Sequence, residues 1–579
     1  MATDSEYSTF ESDVIVIGAG GAGLRAAIEA IGAGARVTVI CKSLLGKAHT
    51  IMAEGGMAAA VGSVDPRDSW QQHFRDTMFG GKYLNNWRMA ELHAKEAPSE
   101  IVNLEQWGAV FDRSDDGGVM QRIFGGHTYQ RLVQVGDRTG LELIRTLQDR
   151  AVALKLRVFM EHTVTKLLLR DGAICGVAGY EREWGKFKVW KAPTVIIASG
   201  GIGRIYSVTS NSWEGTADGQ ALALEAGAEL MDMEFVQFHP TGMVWPQSVR
   251  GILVTEAVRA EGGLLTNSKG ERFMERYDPK RMELSTRDVV ARSIYTEVAE
   301  GRGSPHGGAF LSIAHKPADF IKRKLPSMYE QFMEFAKVDI TKEPMEVYPT
   351  THYVMGGVRV EAETAATNVP GLYAAGEAAA GLHGGNRLGG NSLSDLVVFG
   401  RRAGLAAAQY ALGRTSRPDP EMSEIIKAEQ EMLQPFELET GENPFTVQED
   451  LQNMMMLYVG VFRDEARLTK ALELLEPLKE RAARVRAAGS RLYNAMWHTA
   501  LDVKHSVRIA ETIIVSALLR KESRAAHSRV DYPQTSDELQ KVNTVTRSID
   551  GAVTVAYVER TPLPAELAAV IEEKVEVPT

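Results

Sequence analysis

The 579-residue chain contains only two cysteines, Cys41 and Cys175, and it has no Cys-x-x-Cys pair. Structural zinc, covalent haem and iron–sulfur clusters need grouped Cys or Cys/His ligands, so we do not expect this chain to hold any of them. Both cysteines fall in strand-like segments, which predicts buried core thiols. If electrons leave this protein one at a time, another chain must carry the clusters.

Long apolar runs and a basic surplus are also missing. The best candidate for a membrane span is Leu393–Leu412, but Asp395, Arg401 and Arg402 interrupt it before it reaches roughly 18–20 apolar residues. Residues 1–13 are acidic and have no apolar run after a basic start, so we expect no secretory signal. The net charge of −10 argues against a nucleic-acid partner. We expect a protein that is soluble by itself and reaches a membrane only through a partner.

Glycine is abundant, with 54 residues, and the first cluster carries a recognisable motif. Residues 14–17 predict a buried strand, Gly18-Ala19-Gly20-Gly21-Ala22-Gly23 a turn, the residues to about 33 a helix, and 36–40 a second strand. This order is the context that a dinucleotide-binding G-x-G-x-x-G motif requires. Gly18 makes the turn, Gly20 admits the pyrophosphate and Gly23 packs helix on strand. A glycine turn without a ligand is the less favoured alternative.

Two later segments are predicted to belong to the same nucleotide-binding domain. Residues 194–198 form an apolar strand that ends in Ser199-Gly200-Gly201, and residues 371–377 form a short strand that ends in Gly376-Glu377. Ligands of open α/β sheets collect at the carboxyl ends of the strands. Glu377 is therefore placed to accept hydrogen bonds from ribose or ribityl hydroxyls, with a solvated loop acid as an equal alternative.

The pattern changes between residues 246 and 340 to short mixed elements, which predicts an inserted domain that closes over a ligand. Residues 414–420 have the composition of a linker, and helical patterns follow at 421–434, 447–458, 464–488 and 501–520. We therefore predict an α/β fold with a Rossmann-like dinucleotide-binding domain, an inserted α+β capping domain, a helical domain and a small C-terminal region. The predicted bounds are 1–245 with 341–413, 246–340, 421–530 and 531–579, respectively.

Five further segments carry residues that suit an anionic ligand. His239 lies in a predicted rigid turn, Thr255-Glu256 precedes Arg259, Arg287 opens a helix-like segment, His352 precedes a glycine pair, and Arg387 lies between two glycine pairs. Each has an ordinary structural alternative, such as a helix N-cap at residues 285–288. The Arg387 segment is the hardest to explain in that way, because four glycines are costly to order unless the backbone must approach something.

Taken in order, these segments resemble the flavoprotein subunit of succinate dehydrogenase and fumarate reductase. The resemblance covers almost the full length. It begins with the Gly18 motif and the His49-Thr50-Ile51-Met52-Ala53-Glu54-Gly55-Gly56 loop and continues through the segments at 237–242, 255–256, 287–290 and 352–357. It ends with Asn386-Arg387-Leu388-Gly389-Gly390-Asn391-Ser392-Leu393 and the segment 522–529. Single motifs are moderately specific, and the ordered set is highly specific.

The resemblance implies a role for each matching residue. FAD would be bound covalently through His49, and succinate or fumarate would be held at both carboxylates, by His239 and Thr255 at one end and by His352 and Arg387 at the other. Arg287 would shuttle the proton, fed through Glu256 and Arg259. Asp218 would lie near the adenosine side. The expected FAD-binding residues are Gly18, Gly20, Gly21, Gly23, Lys42, His49, Thr50, Gly55, Gly56, Asp218, Glu377, Ser392 and Leu393, and no metal ligand is expected.

The resemblance also implies partners: an iron–sulfur subunit that receives the electrons, and membrane-anchor subunits contacted indirectly. The location implied is peripheral, at the cytoplasmic face of the inner membrane. An L-aspartate oxidase-like soluble flavoenzyme is the alternative, against which His49 argues, and a non-catalytic nucleotide-binding scaffold is a distant third.

Four residues, at three places in the chain, bear on how closely it follows the family pattern. Lys47-Ala48 replaces the usual Arg-Ser/Thr before the histidine, and Ala525 replaces a glycine. Glu54 stands where dehydrogenases often have Gln and fumarate reductases often have Glu, which leaves the working direction open.

Overall fold

The computed structural model describes residues 7–573, and a five-stranded parallel sheet lies at the centre of its first part. The strand order is Leu372–Ala374, Thr194–Ile197, Val14–Ile17, Val37–Ile40 and Arg157–Phe159. Every residue of the first four of these strands is buried, as expected for a parallel sheet covered on both faces. The strand–turn–helix–strand order predicted from the sequence is confirmed, and so is the placement of the two later segments in the same sheet.

Two helices that follow glycine-rich segments pack tightly against each other on this sheet. They are Gly21–Gly32 and Asn391–Leu412. Small residues permit the close contact, since a Cβ atom at Gly404 would lie only 2.2 Å from the Ala26 carbonyl oxygen. Both helices begin at the same cleft, so the glycine turn and the Arg387 segment share one wall.

The other elements of this part surround the parallel sheet. A four-stranded sheet is formed by Ser8–Glu11, Phe187–Lys191, Ala173–Glu181 and His162–Arg170. A three-stranded sheet is formed by Met57–Ala58, Leu132–Val133 and Gln121–Arg122. The remaining helices are Trp70–Gly80, Trp87–Gln106, Thr139–Ala153 and Asp218–Glu225. Cys41 and Cys175 are both buried, which confirms the predicted core thiols.

A second hydrophobic core lies in the segment between the two halves of the nucleotide-binding part. An antiparallel sheet in the order Val236–Met243, Met345–Val354, Ala309–Ser312 and Leu264–Thr266 supports it. Its helices are Ala257–Ala260, Met274–Tyr277, Arg287–Glu297, Ala318–Lys324 and Pro326–Phe335. The two longest strands of this sheet lie outside residues 246–340, Val236–Met243 before that segment and Met345–Val354 after it, so the sheet is wider than the inserted segment predicted from the sequence.

The rest of the chain forms helices and a small antiparallel sheet. The helices are Met422–Glu437, Pro444–Tyr458, Glu465–Ala483, Ala495–Leu519 and Ala565–Glu572. The sheet has the order Gly357–Val358, Leu230–Met231, Val542–Ile549 and Ala552–Glu559. The α/β fold class predicted from the sequence is confirmed, whereas the hairpin 542–559 was not predicted.

A tight turn near the C-terminal end, residues 524–527, touches two other parts of the molecule. The backbone N–H of Ala526 donates to the Gly385 carbonyl at 3.2 Å, and the Arg292 guanidinium donates to the Ala525 carbonyl at 2.7 Å. Ala525 is in the left-handed region at φ 51°, a conformation that glycine adopts without strain. The turn therefore joins the Arg387 segment to the helix that begins at Arg287.

Within residues 7–573, no helix is both long enough and apolar enough to cross a lipid bilayer.

Candidate active site

A cleft of about 1630 Å³ lies at the carboxyl ends of the parallel strands. The cleft extends from the glycine turn to Arg287 and Arg387, which lie between the two hydrophobic cores. Nearly all of the predicted site residues line it. The ones that line it are Gly18, Gly20, Gly21, Lys42, His49, Thr50, Gly55, Gly56, Asp218, His239, Thr255, Glu256, Arg287, His352, Glu377, Arg387, Ser392 and Leu393. Two predicted residues, Gly23 and Arg259, lie just behind the lining.

The glycine turn has the shape that a pyrophosphate requires. Gly18 has a φ of +109°, and a Cβ atom there would lie 2.2 Å from the Ala198 carbonyl oxygen. A Cβ atom at Gly23 would lie 2.0 Å from the Gly18 carbonyl oxygen, so Gly23 is needed for packing and does not contact a ligand. At Gly20, by contrast, the nearest atom would be 3.4 Å away, which leaves the approach to the helix N-terminus open. The residues present therefore fit a dinucleotide.

Lys42 and Asp218 lie together at one end of the cleft. The Lys42 ammonium pairs with Asp218 at 2.5 Å and with Asp502 at 2.7 Å, and it donates to Thr216 at 2.9 Å. Burial alone would lower the pKa of Lys42, but the two carboxylates outweigh it and raise that pKa. The cation is thus fully compensated, and it orients Asp218 toward the cleft.

Glu377 also lines the cleft and accepts a hydrogen bond from the Val354 backbone N–H at 3.1 Å. Burial raises its pKa to about 7. A buried carboxyl with so few donors of its own is suited to accept hydroxyl hydrogens from a ligand.

Three histidines form one wall. The ring centroids of His49 and His352 are 6.5 Å apart, and those of His239 and His352 are 5.1 Å apart. Burial, together with the nearby Arg204 and Arg387 cations, lowers the pKa of His49 to about 4. Burial also holds the pKa values of His239 and His352 well below the ordinary value. All three imidazoles are therefore neutral at physiological pH.

Two buried arginines meet on a single amide at the opposite end. Gln237 Oε1 accepts from Arg387 at 3.1 Å and from Arg287 at 3.3 Å. Arg387 also donates to Ser392 at 2.9 Å and lies 4.5 Å from the Tyr353 ring centroid. Burial and the Arg287 cation lower the pKa of Arg387 to about 9. Two like charges held so close, with only an amide between them, make a strong site for an anion.

Glu256 connects this pair to Arg259. Its Oε2 accepts from Arg287 Nε at 2.8 Å and lies 3.6 Å from Arg259, while its Oε1 accepts from the Gly125 backbone N–H at 2.9 Å. Burial raises the pKa of Glu256, but the Arg287 and Arg259 cations lower it by more, so the carboxylate is ionised. Two nitrogens of Arg259 have no hydrogen-bond partner within the described part of the chain.

A second carboxyl belongs to Glu54, in the loop that follows His49. It lies near Thr255. Burial and the Asp137 carboxylate raise the pKa of Glu54 well above its ordinary value, and a hydrogen bond with Thr255 only partly opposes this. Burial thus favours the protonated form of Glu54, one oxygen of which has no partner in residues 7–573.

Some features were missed or misplaced by sequence reasoning. His239 does not lie in a turn, as predicted, but in the strand Val236–Met243, next to a break in the strand register at residues 239–242. The residues before Thr216 were not singled out, yet Asn211 and Ser212 contact the ring of His49. Their only signal in the sequence was a cluster of small polar residues, Thr209-Ser210-Asn211-Ser212.

Comparisons with known proteins agree with this geometry. Residues 13–393 match the family described as FAD binding domain, and residues 448–577 match the one described as Fumarate reductase flavoprotein C-term. The fumarate reductase flavoprotein subunit of Mycobacterium tuberculosis is 39% identical over 95% of this chain and 97% of its own. The succinate dehydrogenase flavoprotein subunit of Coxiella burnetii is 39% identical over 91% of this chain and 92% of its own. A solved structure of Mycobacterium smegmatis Sdh1 superposes with a TM-score of 0.90, at 53% identity over 98% and 97% of the two chains.

Proposed function

Because this chain belongs to the family of succinate dehydrogenase and fumarate reductase flavoprotein subunits, we propose how its cleft interconverts succinate and fumarate. The observation that carries the proposal is the meeting of Arg287 and Arg387 on Gln237, at 3.3 and 3.1 Å. In this proposal the dicarboxylate lies between the arginines and the histidine wall. Arg387 and His352 bind one carboxylate, and His239 and Thr255 bind the other, which fixes the central carbon–carbon bond in place.

FAD is the cofactor of this chain, and when bound it supplies the hydride acceptor or donor. We propose that Gly18, Gly20 and Gly21 hold its pyrophosphate, that Glu377 accepts from its hydroxyls, and that Asp218 lies on the adenosine side. The remaining contacts proposed are Lys42, Thr50, Gly55, Gly56, Ser392 and Leu393. The Nε2 atom of His49 is the proposed point of covalent attachment, since this neutral imidazole lines the same cleft.

Proton transfer is assigned to the arginine that touches the ionised carboxylate. Arg287 Nε lies 2.8 Å from Glu256 Oε2, and Glu256 in turn lies 3.6 Å from Arg259. An arginine holds its proton strongly in water, and a paired carboxylate adds to that hold. A neighbouring cation favours its transient loss, and the carboxylate can relay the proton. In the proposed relay Arg287 gives a proton to the substrate carbon during fumarate reduction and regains one through Glu256 and Arg259. The reverse movement accompanies succinate oxidation.

The electrons are proposed to leave through an iron–sulfur subunit. Exposed apolar side chains support this assignment, since Met160, Trp184, Trp213 and Tyr493 are 44%, 54%, 41% and 57% exposed. Backbone hydrogen bonds from Arg182 to Glu161 and from Tyr493 to Glu183, and the Arg182 guanidinium 5.1 Å from the Trp213 ring centroid, join their segments into one surface. Trp213 follows Ser212, whose backbone contacts His49, so the surface adjoins the proposed attachment point of the flavin. We propose that the iron–sulfur partner docks there and that membrane-anchor subunits, contacted through it, hold the complex at the cytoplasmic face of the inner membrane.

The cleft also suits the domain division expected from the sequence. Arg287, Glu256 and Arg259 belong to the proposed capping domain, residues 246–340, whereas His49, His352, Glu377 and Arg387 belong to the proposed FAD-binding domain. The substrate would therefore lie between the two, and closure of the cap would exclude water.

The test is to purify the chain with whatever copurifies and to measure both directions of the reaction. Succinate oxidation is followed with an artificial electron acceptor and fumarate reduction with a reduced viologen, alongside iron and acid-labile sulfide. The flavin of acid-precipitated protein is measured by fluorescence, with His49→Ser as the control for attachment. Absence of turnover in both directions would contradict the proposed activity, and release of all flavin on denaturation would contradict the covalent attachment. Purification without iron or sulfide would contradict the proposed partner.

A further inference from the structure

The segment 209–212 lies beside the end of strand Met345–Val354. It contacts two of the three histidines of the cleft, His49 and His352. The Ser210 backbone N–H donates to the Thr351 carbonyl at 2.9 Å, and the Ser210 hydroxyl lies 2.8 Å from His352 Nδ1. Next along the chain, Asn211 and Ser212 turn toward His49. One short segment therefore determines which hydrogen-bonding groups these imidazoles meet.

The orientation of the Asn211 amide is fixed by two backbone groups. Its Oδ1 accepts from the Gly203 N–H at 3.1 Å, and its Nδ2 donates to the His352 carbonyl at 2.8 Å. If the amide were reversed, its NH₂ group would face the Gly203 N–H and its oxygen would face the His352 carbonyl. Only the observed orientation therefore satisfies both backbone groups. The side chain is 5% exposed, which leaves it little room to move.

This fixed amide presents its second Nδ2 hydrogen to His49. The distance from Asn211 Nδ2 to His49 Nε2 is 3.5 Å, and the distance from the Ser212 backbone nitrogen to His49 Nδ1 is 3.4 Å. Both ring nitrogens therefore face N–H donors. A neutral imidazole can accept at only one nitrogen, so the two donors compete: Ser212 favours a proton on Nε2, and Asn211 favours one on Nδ1.

We propose that Asn211 is the positioning residue that keeps the Nε2 atom of His49 unprotonated and aimed at the flavin, and so controls covalent attachment. This inference rests on the proposed attachment at His49. Attachment forms a bond between Nε2 and the 8α carbon of FAD and breaks a C–H bond of that methyl group and the N–H bond of the imidazole. Fumarate can accept the resulting two electrons and two protons and become succinate, so the overall step is balanced. In the product, Nδ1 retains a lone pair, which the Ser212 N–H satisfies.

Two variants separate this chemical role from a merely structural one. Asn211→Asp keeps the shape and the bond from Gly203, but it loses the bond to the His352 carbonyl and places an acceptor next to Nε2, which favours a proton there. Asn211→Ala loses the shape and both backbone bonds, yet it adds no acceptor. A charge-assisted hydrogen bond of about 1.5–3 kcal/mol corresponds to roughly 10- to 150-fold slower attachment in Asn211→Asp. A merely structural role would lower the total flavin bound together with its attachment, whereas a chemical role lowers attachment while FAD stays bound.

The experiment uses the full chain expressed with its partners and follows acid-precipitable flavin with time, together with total flavin. We expect attachment in Asn211→Asp to be at least tenfold slower than in the wild type and slower than in Asn211→Ala, with FAD still bound non-covalently. Asn368→Asp is the matched control, because its side chain is an exposed amide far along the sequence that also bridges two backbone groups, and it should attach flavin normally.

Three results would overturn the inference. They are attachment at the wild-type rate in Asn211→Asp, attachment in Asn211→Asp that is as fast as in Asn211→Ala, or loss of all flavin from the variants, since the glycine turn is left intact. If the wild type itself carries no covalent flavin, the proposed attachment at His49 fails as well. The two failures are thus distinguishable.

Discussion

Replacement of Glu256 by Gln tests the arrangement of charges at the centre of the cleft. The substitution keeps the size of the side chain and its bond from the Gly125 N–H, but it removes the only carboxylate that contacts Arg287 within the described residues. Glu256 is 2% exposed, and Arg287 and Arg259 are 8% and 2% exposed. The change therefore leaves two buried cations without their counter-ion.

The expected loss of stability in Glu256→Gln follows from the distances between Glu256 and the two arginines. Opposite unit charges about 4 Å apart attract by roughly 4 kcal/mol at an effective dielectric constant of about 20, and the two pairs are at 2.8 and 3.6 Å. Desolvation offsets much of that attraction in the folded protein, but removal of one partner of a buried pair typically costs about 3–5 kcal/mol of stability. Loss of a proton-transfer group typically lowers turnover by about 10²–10⁴-fold.

The assay is steady-state fumarate reduction and succinate oxidation by Glu256→Gln, with flavin content and urea unfolding measured in parallel. Glu297→Gln is the matched control, because Glu297 is also a fully buried carboxylate, paired with Arg302 at 2.7 Å and Arg276 at 2.8 Å, but outside the cleft. We expect both variants to lose stability and only Glu256→Gln to lose at least 100-fold in turnover with its flavin retained. Turnover of Glu256→Gln within tenfold of the wild type would refute the relay through this carboxylate.

Three other predictions concern the walls of the cleft. Arg387→Lys keeps the charge but loses the fork that reaches both Gln237 and Ser392, so turnover should fall by at least tenfold, and a variant with unchanged kcat/KM would exclude Arg387 from substrate binding. Gly18→Ala places a Cβ atom 2.2 Å from the Ala198 carbonyl oxygen at a φ of +109°, so the purified chain should lack FAD, which the flavin absorbance of the protein checks. Burial raises the pKa of Glu377 to about 7 in the fold, so its stabilising effect is fully present below about pH 4.5 and is lost as the pH rises through 7. In a FAD-depleted His49→Ser chain, the stability lost in urea unfolding between pH 5 and pH 8 should therefore exceed the loss in the same chain with Glu377→Gln by up to about 3 kcal/mol, and an equal loss in both would contradict this assignment.

Much of the nucleotide-binding part could be predicted from the sequence, because local patterns determine it. A buried strand, a glycine turn and an alanine-rich helix follow one another over about 20 residues, and the steric limits at Gly18 and Gly23 leave few alternatives. The helices after residue 420 were predicted for the same reason, although their ends differ. For example, the pattern at 464–488 predicts a longer helix than the one observed at Glu465–Ala483.

The geometry of the candidate site could be predicted only in part. Sequence patterns and the family resemblance brought His49, Arg287 and Arg387 forward as single residues, but no pattern shows that Gln237 joins the two arginines. That contact depends on strand Val236–Met243 and the Arg387 segment, and Gln237 and Arg387 are 150 positions apart in the sequence. The role inferred for Asn211 was missed because an asparagine in a polar loop has no distinctive local signal.

The turn at residues 524–527 has a consequence for the biosynthesis of the protein. The Gly385 and Arg292 contacts that it makes cannot form until the ribosome has added about 140 residues beyond Gly385, which takes roughly 7 to 30 seconds at typical elongation rates. During that interval the nascent polypeptide already contains the glycine turn, Arg287 and Arg387. It still lacks the turn at residues 524–527, which joins the Arg387 segment to the helix that begins at Arg287. Competence for dicarboxylates should therefore come only after residues 524–527 have been made, and a chain truncated before Arg524 should turn over more slowly than the full chain, which an assay of the purified truncated protein checks.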